Sequence, residues 1–334
     1  MASGSARKAG MRLSSLLSGS LASGIKSQTA AASPWSSSTG AAGELGPFGS
    51  RFASSQAVRN RMKSVKSIQK ITKAMKMVAA SKLRGVVSKT EKSRGLWQPF
   101  IALLGDHPGV DAKKVSILTV STDRGLCGGI NSTAVKYSKA LLKLSSGPDK
   151  EVSYIIVGDK ARAILQRDSK QSIALTVTET QKISISFTQA SMIVDEIVKD
   201  LDFDVVRVMY NKFNSVVQFL PTVTTILSPE TLIRESESGK LGDLDAYEVE
   251  GAEMKSEVLQ NLSEFQFASV LYNAFLENAC SEQGARMSAM DSSTRNATEM
   301  LDKLTLSYNR SRQATITTEL IEIISGAAAL EASN

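Results

Sequence analysis

The chain has 334 residues, a formal net charge of +7 and only 5% aromatic residues, so it can hold two or more domains and favours helices over an all-β core. Its two cysteines, Cys127 and Cys280, lie far apart without CxxC spacing, and its only histidine is His107. These counts exclude a zinc cluster or a Ser–His–Asp triad, and we expect no metal and no cofactor. Because no apolar run reaches 18 residues, the sequence predicts no membrane-spanning helix.

Residues 1–52 have the composition of a mitochondrial transit peptide. Residues 1–43 contain no Asp or Glu, four basic residues, and mostly Ser, Ala and Gly. Arg51 stands just before small residues, so we expect cleavage after Phe52 and favour mitochondria over plastids. A disordered tail without an address is the alternative.

The segment 53–105 is predicted as a long N-terminal helix. Between Gln56 and Gln98 apolar residues recur at steps of three and four, at Val58, Met62, Val65, Ile68, Ile71, Met75, Val78, Leu83 and Val86. Twelve Lys and Arg residues stand there against Glu91 alone, a net charge of +11. One alternative is a nucleic-acid binder that neutralises phosphates with these cations. The apolar stripe and the lack of interleaved aromatic residues weaken it.

Residues 113–228 are predicted to form a Rossmann-like α/β domain with a largely parallel sheet. The β-branched runs VSILTVST, EVSYIIVG, SIALTVTE and DVVRVMYN alternate with helical stretches at about 130–145, 159–167 and 188–201. The run VVQFLPTVTTILS follows after a short turn, so we expect it to pair antiparallel with the preceding strand.

A glycine-rich loop, STDRGLCGGIN at 121–131, follows the first of these strands. A nucleotide-binding protein that cradles phosphate with Gly125, Gly128 and Gly129 is the second alternative. The spacing Gly-x-x-Gly-Gly, however, fits neither a dinucleotide fingerprint nor a P-loop. We therefore interpret the loop as a tight strand-to-helix turn, with Asp123 and Arg124 holding it in place.

Two segments complete the chain. Residues 229–253 are acidic, contain three glycines and one proline, and are predicted to be a surface connection. Residues 254–334 are predicted as a C-terminal helix, free of proline and with a net charge of −3 from 254 to 330. We expect the two terminal helices to pair antiparallel as a coiled coil. The C-terminal helix should exceed its partner by about 34 residues, so that one end projects unpaired.

Three blocks carry a family resemblance: SIQKITKAMKMVAASKLR at 67–84, STDRGLCGG at 121–129, and the tail from Arg286 to Ala329. Together they resemble the gamma subunit of F-type ATP synthases. The resemblance implies a central rotor shaft that couples rotation of a c-subunit ring to conformational changes in catalytic beta subunits. It also implies a peripheral subunit on the matrix side of the mitochondrial inner membrane, without a catalytic site of its own and without nucleic acid.

The partners implied by the resemblance are a ring of three alpha and three beta subunits, the delta and epsilon central-stalk subunits and the c ring. Contacts with the alpha and beta subunits would come from the polar residues Arg312, Gln313, Thr317 and Glu319 and, on the N-terminal helix, from Met75, Lys73, Lys76, Lys82 and Arg84. An apolar bearing tip would comprise Ile316, Leu320, Ile323 and Ile324. In the loop, Asp123 and Arg124 could also meet the lower rim of the ring.

The sequence departs from the family in two respects. Gly284 stands where Ala or Ser is usual, and we expect it to soften the shaft locally. The chain also lacks the inserted cysteine pair of plastid members, which agrees with a mitochondrial address.

Overall fold

The structure is a computed structural model that describes residues 47–104, 112–147, 149–168, 172–180, 185–237 and 255–332. Most of the predicted transit peptide, residues 1–46, lies outside these ranges. The described residues form two units. The first runs from Met77 to Ala289, and the second combines the helix up to Lys76 with the chain from Met290 onward.

Two long helices begin and end the described chain: α1, Pro47–Leu104, has 58 residues, and α6, Lys255–Ala332, has 78. Their difference is therefore 20 residues and the expected 34 is wrong, because α1 starts before Gln56 and continues past Pro99. Proline is tolerated at Pro47 because the first turn has no partners for its N–H groups. Beyond Pro99, packing sustains the helix: the Phe100 ring lies 5.1 Å from that of Phe265. Among the described helices, none is long and apolar enough to cross a membrane.

A five-stranded sheet in the order β3-β2-β1-β4-β5 forms the centre of the first unit. Its strands are β1 (Lys114–Val120), β2 (Glu151–Val157), β3 (Ile173–Val177), β4 (Val205–Phe213) and β5 (Phe219–Leu227). The pairs β1–β2, β1–β4 and β2–β3 are parallel, and β4–β5 is antiparallel. The predicted mixed sheet, with its single antiparallel edge, is confirmed.

Four shorter helices follow the strands: α2 (Ile130–Ser145), α3 (Asp159–Asp168), α4 (Phe187–Asp200) and α5 (Pro229–Glu237). Neighbouring residues of a strand point to opposite faces, so β2 serves two cores. Tyr154 and Ile156 pack with residues of α2 and α3, whereas Ile155 and Val157 pack with residues of α4 and α6. The sheet is thus covered on both faces, as a Rossmann-like domain requires.

The start of the predicted acidic connection is a helix rather than a surface loop. In α5, Thr231 and Leu232 are 2% exposed, and the Ser228 hydroxyl accepts a hydrogen bond from the Thr231 N–H. Burial of Leu232 beside Leu259 outweighs the acidic composition that suggested a loop. The remainder of that connection, residues 238–254, lies outside the described ranges.

The two long helices pair antiparallel in each unit. In the first unit, the Thr90 hydroxyl lies 3.1 Å from the Cys280 sulfur, and Ser93 donates to Asn273 at 3.1 Å. In the second, the order also runs in opposite directions, because Gln69 meets Thr298, Thr72 meets Thr294 and Lys76 meets Asp291. The predicted antiparallel pairing is therefore confirmed within both units.

Candidate functional site

The glycine-rich loop between β1 and α2 closes on its own side chains. The Thr122 hydroxyl donates to the Arg124 carbonyl at 2.8 Å, and the Thr122 N–H donates to the Asn131 side chain at 3.2 Å. Asn131 also lies against the buried Cys127 sulfur, and burial raises the pKa of that thiol. With its polar groups used internally, this loop is suited to be a scaffold rather than a phosphate cradle.

The residues predicted to hold this loop have distinct places. The Asp123 carboxylate accepts a hydrogen bond from the Asp159 N–H at 3.1 Å, which ties the loop to the start of α3. Arg124 is exposed, and the Gly125 carbonyl accepts from Arg286 at 3.4 Å. Gly128 has a φ of +61°, a conformation that glycine adopts readily, and Gly129 directly precedes α2. In the described residues, no cluster of His, Cys, Asp or Glu is arranged to hold a metal ion.

The cations predicted to face partner subunits differ in their surroundings. Lys73, Lys82 and Arg84 are exposed, whereas Met75 is half-buried. Lys76 donates to Asp291 at 2.5 Å, and this hydrogen bond lowers the pKa of the carboxylate. Lys76 is therefore engaged inside the helical pair, while Lys73, Lys82 and Arg84 remain open to solvent.

The seam between the helices is more polar than the predicted apolar stripe. Val65 and Leu83 are buried as expected, but Ile68, Ile71 and Val78 are 52–58% exposed and their assignment to the seam is wrong. In the second unit, the polar side chains Gln69 and Thr72 face α6 at intermediate positions of the same helix. An apolar arc wider than the narrow contact seam leaves its outer edge in solvent.

The C-terminal part of α6 belongs to the second unit and is largely exposed. Arg312, Gln313, Thr317 and Glu319 are all exposed, and the Thr317 hydroxyl donates back to the Gln313 carbonyl at 2.9 Å. From Glu319 to Leu330 every residue is exposed. The prediction of a helix end that projects without a partner is thus confirmed.

This exposed end carries large apolar side chains. The four residues predicted for the bearing tip, Ile316, Leu320, Ile323 and Ile324, are 49–69% exposed. The sequence reasoning missed Ile321 and Leu330, which are as exposed as the others. They could have been found by counting apolar residues on all sides of the helix rather than along one stripe.

A group of buried polar residues in α6 was also missed. Glu277, Asn278, Ser281 and Glu282 are at most 2% exposed. Periodicity cannot find them, because a helix that is buried on all sides has no solvent face to define a pattern. Gly284 lies in the same stretch: a Cβ there would stand 3.3 Å from the Val216 carbonyl oxygen and 3.4 Å from the Phe213 ring. The close approach of the β4–β5 turn, rather than local softening, explains this glycine.

Comparison with known proteins identifies the family. A family model described as ATP synthase matches residues 54–330. The mitochondrial ATP synthase subunit gamma of Ipomoea batatas is 68% identical over 289 residues, which cover 86% of this chain and 89% of that protein. This chain belongs to the ATP synthase gamma subunit family. The gamma subunit of Arabidopsis thaliana is 66% identical, with 87% and 90% of the two chains covered.

Solved structures agree with the gamma fold. A chain in the structure of the Euglena gracilis mitochondrial ATP synthase, described as OSCP/F1/c-ring, has a TM-score of 0.74 and 21% identity. The match covers 84% of this gamma-family chain and 96% of that chain. At this identity the likeness shows the shared fold: a mixed α/β sheet between long terminal helices.

Proposed function

We propose that this chain is the central rotor shaft of the proton-driven ATP synthase. In this role it couples rotation of a c-subunit ring to successive conformational changes in the catalytic beta subunits. The names of the plant relatives, which are mitochondrial gamma subunits, support a place on the matrix side of the mitochondrial inner membrane. A Tetrahymena thermophila structure described as central stalk/cring, 27% identical with a TM-score of 0.54, supports the stalk assignment.

The observation that carries this proposal is the exposed apolar end of α6. Six large apolar residues of this end are 49–70% exposed, namely Ile316, Leu320, Ile321, Ile323, Ile324 and Leu330. Apolar clusters of this size on a protein surface mark interaction sites. Because they surround the helix instead of forming one stripe, they suit a surrounding sleeve better than a single partner helix. A ring of three alpha and three beta subunits provides such a sleeve.

The polar residues just before this end are suited to contacts that form and break as the shaft turns. Arg312, Gln313, Thr317 and Glu319 present charged and amide groups to solvent, and Arg312 can bind a carboxylate through two hydrogen bonds. On α1, the exposed cations Lys73, Lys82 and Arg84 would attract acidic segments of the beta subunits without fixing one geometry. Each beta subunit would then be biased between conformations by the face of the shaft that it meets.

The chain would have no catalytic site of its own in this function. The loop of Gly125, Gly128 and Gly129 is filled by its own hydrogen bonds and the nearby Arg286, which favours a scaffold over nucleotide binding. The α/β domain would contact the c ring and the delta and epsilon stalk subunits. Tight ATP binding by the isolated chain would contradict this view.

The first experiment is co-purification and coupled ATP synthesis with the full chain. A tagged chain should recover three alpha and three beta subunits, whereas recovery as a lone monomer would contradict the rotor function. Replacing Arg312 and Gln313 by Ala should preserve assembly but lower ATP synthesis, because contacts made during rotation are lost. The matched control replaces the exposed pair Gln166 and Arg167 of α3 by Ala, which should leave synthesis unchanged. Equal rates for both double variants would refute the assigned contacts.

A further inference from the structure

Within the first unit, one stretch of α6 is buried on all sides although much of it is polar. From Asn273 to Glu282 every residue is buried, and six of these residues are polar or sulfur-containing: Asn273, Glu277, Asn278, Cys280, Ser281 and Glu282. Helices buried in this way are normally apolar all round. The polar residues must therefore be matched by partners on the surrounding elements.

The Glu277 carboxylate joins α6 to two other elements. One oxygen accepts from the Arg94 guanidinium of α1 at 2.7 Å, and the other accepts from the Phe213 N–H of β4 at 2.8 Å. Arg94 also donates to the Phe213 carbonyl at 3.2 Å, which closes a triangle of contacts. The hydrogen bond to Glu277 raises the pKa of Arg94. A single buried carboxylate thus connects α1, α6 and the sheet.

The next residues of α6 bind the carboxyl ends of two strands. Asn278 donates to the Ser121 carbonyl at the end of β1 at 3.1 Å, and it accepts from the Asn211 amide of β4 at 3.0 Å. Ser281 donates to the Asn211 carbonyl at 2.8 Å. Two turns further along, Arg286 reaches the Gly125 carbonyl in the loop after β1. These bonds leave α6 in different directions around its axis.

Hydrogen bonds of this kind resist motions that apolar contacts allow. Apolar packing is non-directional, so a helix can rotate or slide on it at modest cost. Buried polar groups are satisfied in one register only, because a shift leaves a charge or an amide without a partner in a site that water does not reach. A rotation of α6 about its own axis would break the bonds of Glu277, Asn278 and Ser281 together.

We propose that Glu277, Asn278, Ser281 and Arg286 form a polar clamp that fixes α6 and α1 to the α/β domain against rotation and sliding. The clamp would make torque that enters at the domain act on both helices without slippage. This inference rests on the proposed rotor function. It assigns to these residues a positioning role in energy coupling, separate from contacts with the alpha and beta subunits.

The test compares proton pumping with ATP hydrolysis in the complete complex, assembled with the full chain and inserted into vesicles. The main variant combines Arg94→Met, Glu277→Leu and Asn278→Leu, which keeps approximate volume but removes the directional bonds. A second variant, Ser281→Ala, deletes one hydrogen bond and disturbs folding little. For the main variant, protons pumped per ATP hydrolysed should fall to about half or less while hydrolysis continues, since apolar replacements of buried pairs often preserve stability. Ser281→Ala should show a smaller fall in the same ratio.

The control separates slippage from loss of stability. Leu165→Ala removes a fully buried side chain of α3 from the core on the other face of the sheet, away from the clamp. It should lower the amount of intact complex but leave the pumping ratio at the wild-type value. A wild-type ratio in both clamp variants would overturn the clamp. A wild-type chain that supports no pumping at all would overturn the rotor function and the clamp with it.

Discussion

Truncating either member of the Arg94–Glu277 pair should destabilise the first unit strongly, whereas replacing both by apolar residues should not. The Glu277 side chain is fully buried, and that of Arg94 is 33% exposed. Arg94→Ala leaves a buried carboxylate with only the Phe213 N–H as partner. Glu277→Ala leaves a guanidinium that can still reach water on one side, together with an unpaired Phe213 N–H.

The structure sets the expected order of these effects. Removing one partner of a buried ion pair costs about 3–5 kcal/mol. Arg94→Ala should fall within this range, because the remaining charge cannot be hydrated. Glu277→Ala should cost about 3 kcal/mol, since partial exposure of Arg94 offsets part of the charge penalty while the orphaned N–H adds about 1–3 kcal/mol. The double variant Arg94→Met/Glu277→Leu should lie within about 1 kcal/mol of wild type.

Urea denaturation measures these differences directly. Trp97 lies one turn after Arg94 in α1, so tryptophan fluorescence reports on this region, and far-ultraviolet circular dichroism reports on the helices as a whole. The free energies are comparable only if the dependence on urea is the same for all variants. The two single variants and the double variant form a cycle with a coupling energy of about 2–3 kcal/mol.

Two outcomes would refute this reasoning. If Arg94→Ala unfolds within about 0.5 kcal/mol of wild type, the carboxylate is hydrated in solution and the pair is not buried. If the double variant is as unstable as the single ones, packing rather than charge burial explains the cost.

Two further predictions concern the same stretch of α6. Burial raises the pKa of Cys280 from its ordinary value of 9.0 to about 11, so the unfolded chain releases this proton first, and stability should fall between pH 9 and 11 by at most about 3 kcal/mol. Urea titrations should show a smaller fall for Cys280→Ala; an identical pH profile would exclude Cys280 as the cause. Gly85→Ala in α1, where a Cβ meets nothing within 4 Å, should raise stability by about 1 kcal/mol. Gly284→Ala should gain nothing or lose about 1 kcal/mol in the same thermal assay, because its Cβ meets Val216 and Phe213 closely. Equal gains at both glycines would contradict the close approach.

Much of the α/β domain was predictable from short-range patterns. The β-branched runs separated by helical stretches indicate strands β1 to β4, because parallel strands buried on both faces are apolar throughout. The antiparallel edge followed from a five-residue connection, 214–218, which is too short for a crossover. These features depend on local composition and chain length, which a sequence displays directly.

Other features depend on which element packs against which. The continuation of α1 past Pro99 and the helix at Thr231 and Leu232 arise from tertiary contacts with Phe265 and Leu259. The polar seam was missed for a related reason, since hydrophobic periodicity detects apolar residues and cannot detect that Thr72 meets Thr294. Pairs distant in sequence become visible only when the fold brings them together.

Two stretches of α6 show an inverted relation between polarity and burial. At Glu277 and Asn278 polar side chains are fully buried, whereas at Leu320, Ile321 and Ile323 large apolar side chains are exposed. Directional bonds fix a helix in one orientation, whereas apolar contacts permit motion along and around its axis. If the chain is a rotor, the polar stretch lies where the helix must stay fixed to its own domain, and the apolar end lies where it must turn against other subunits. Both inversions then follow from a single mechanical requirement.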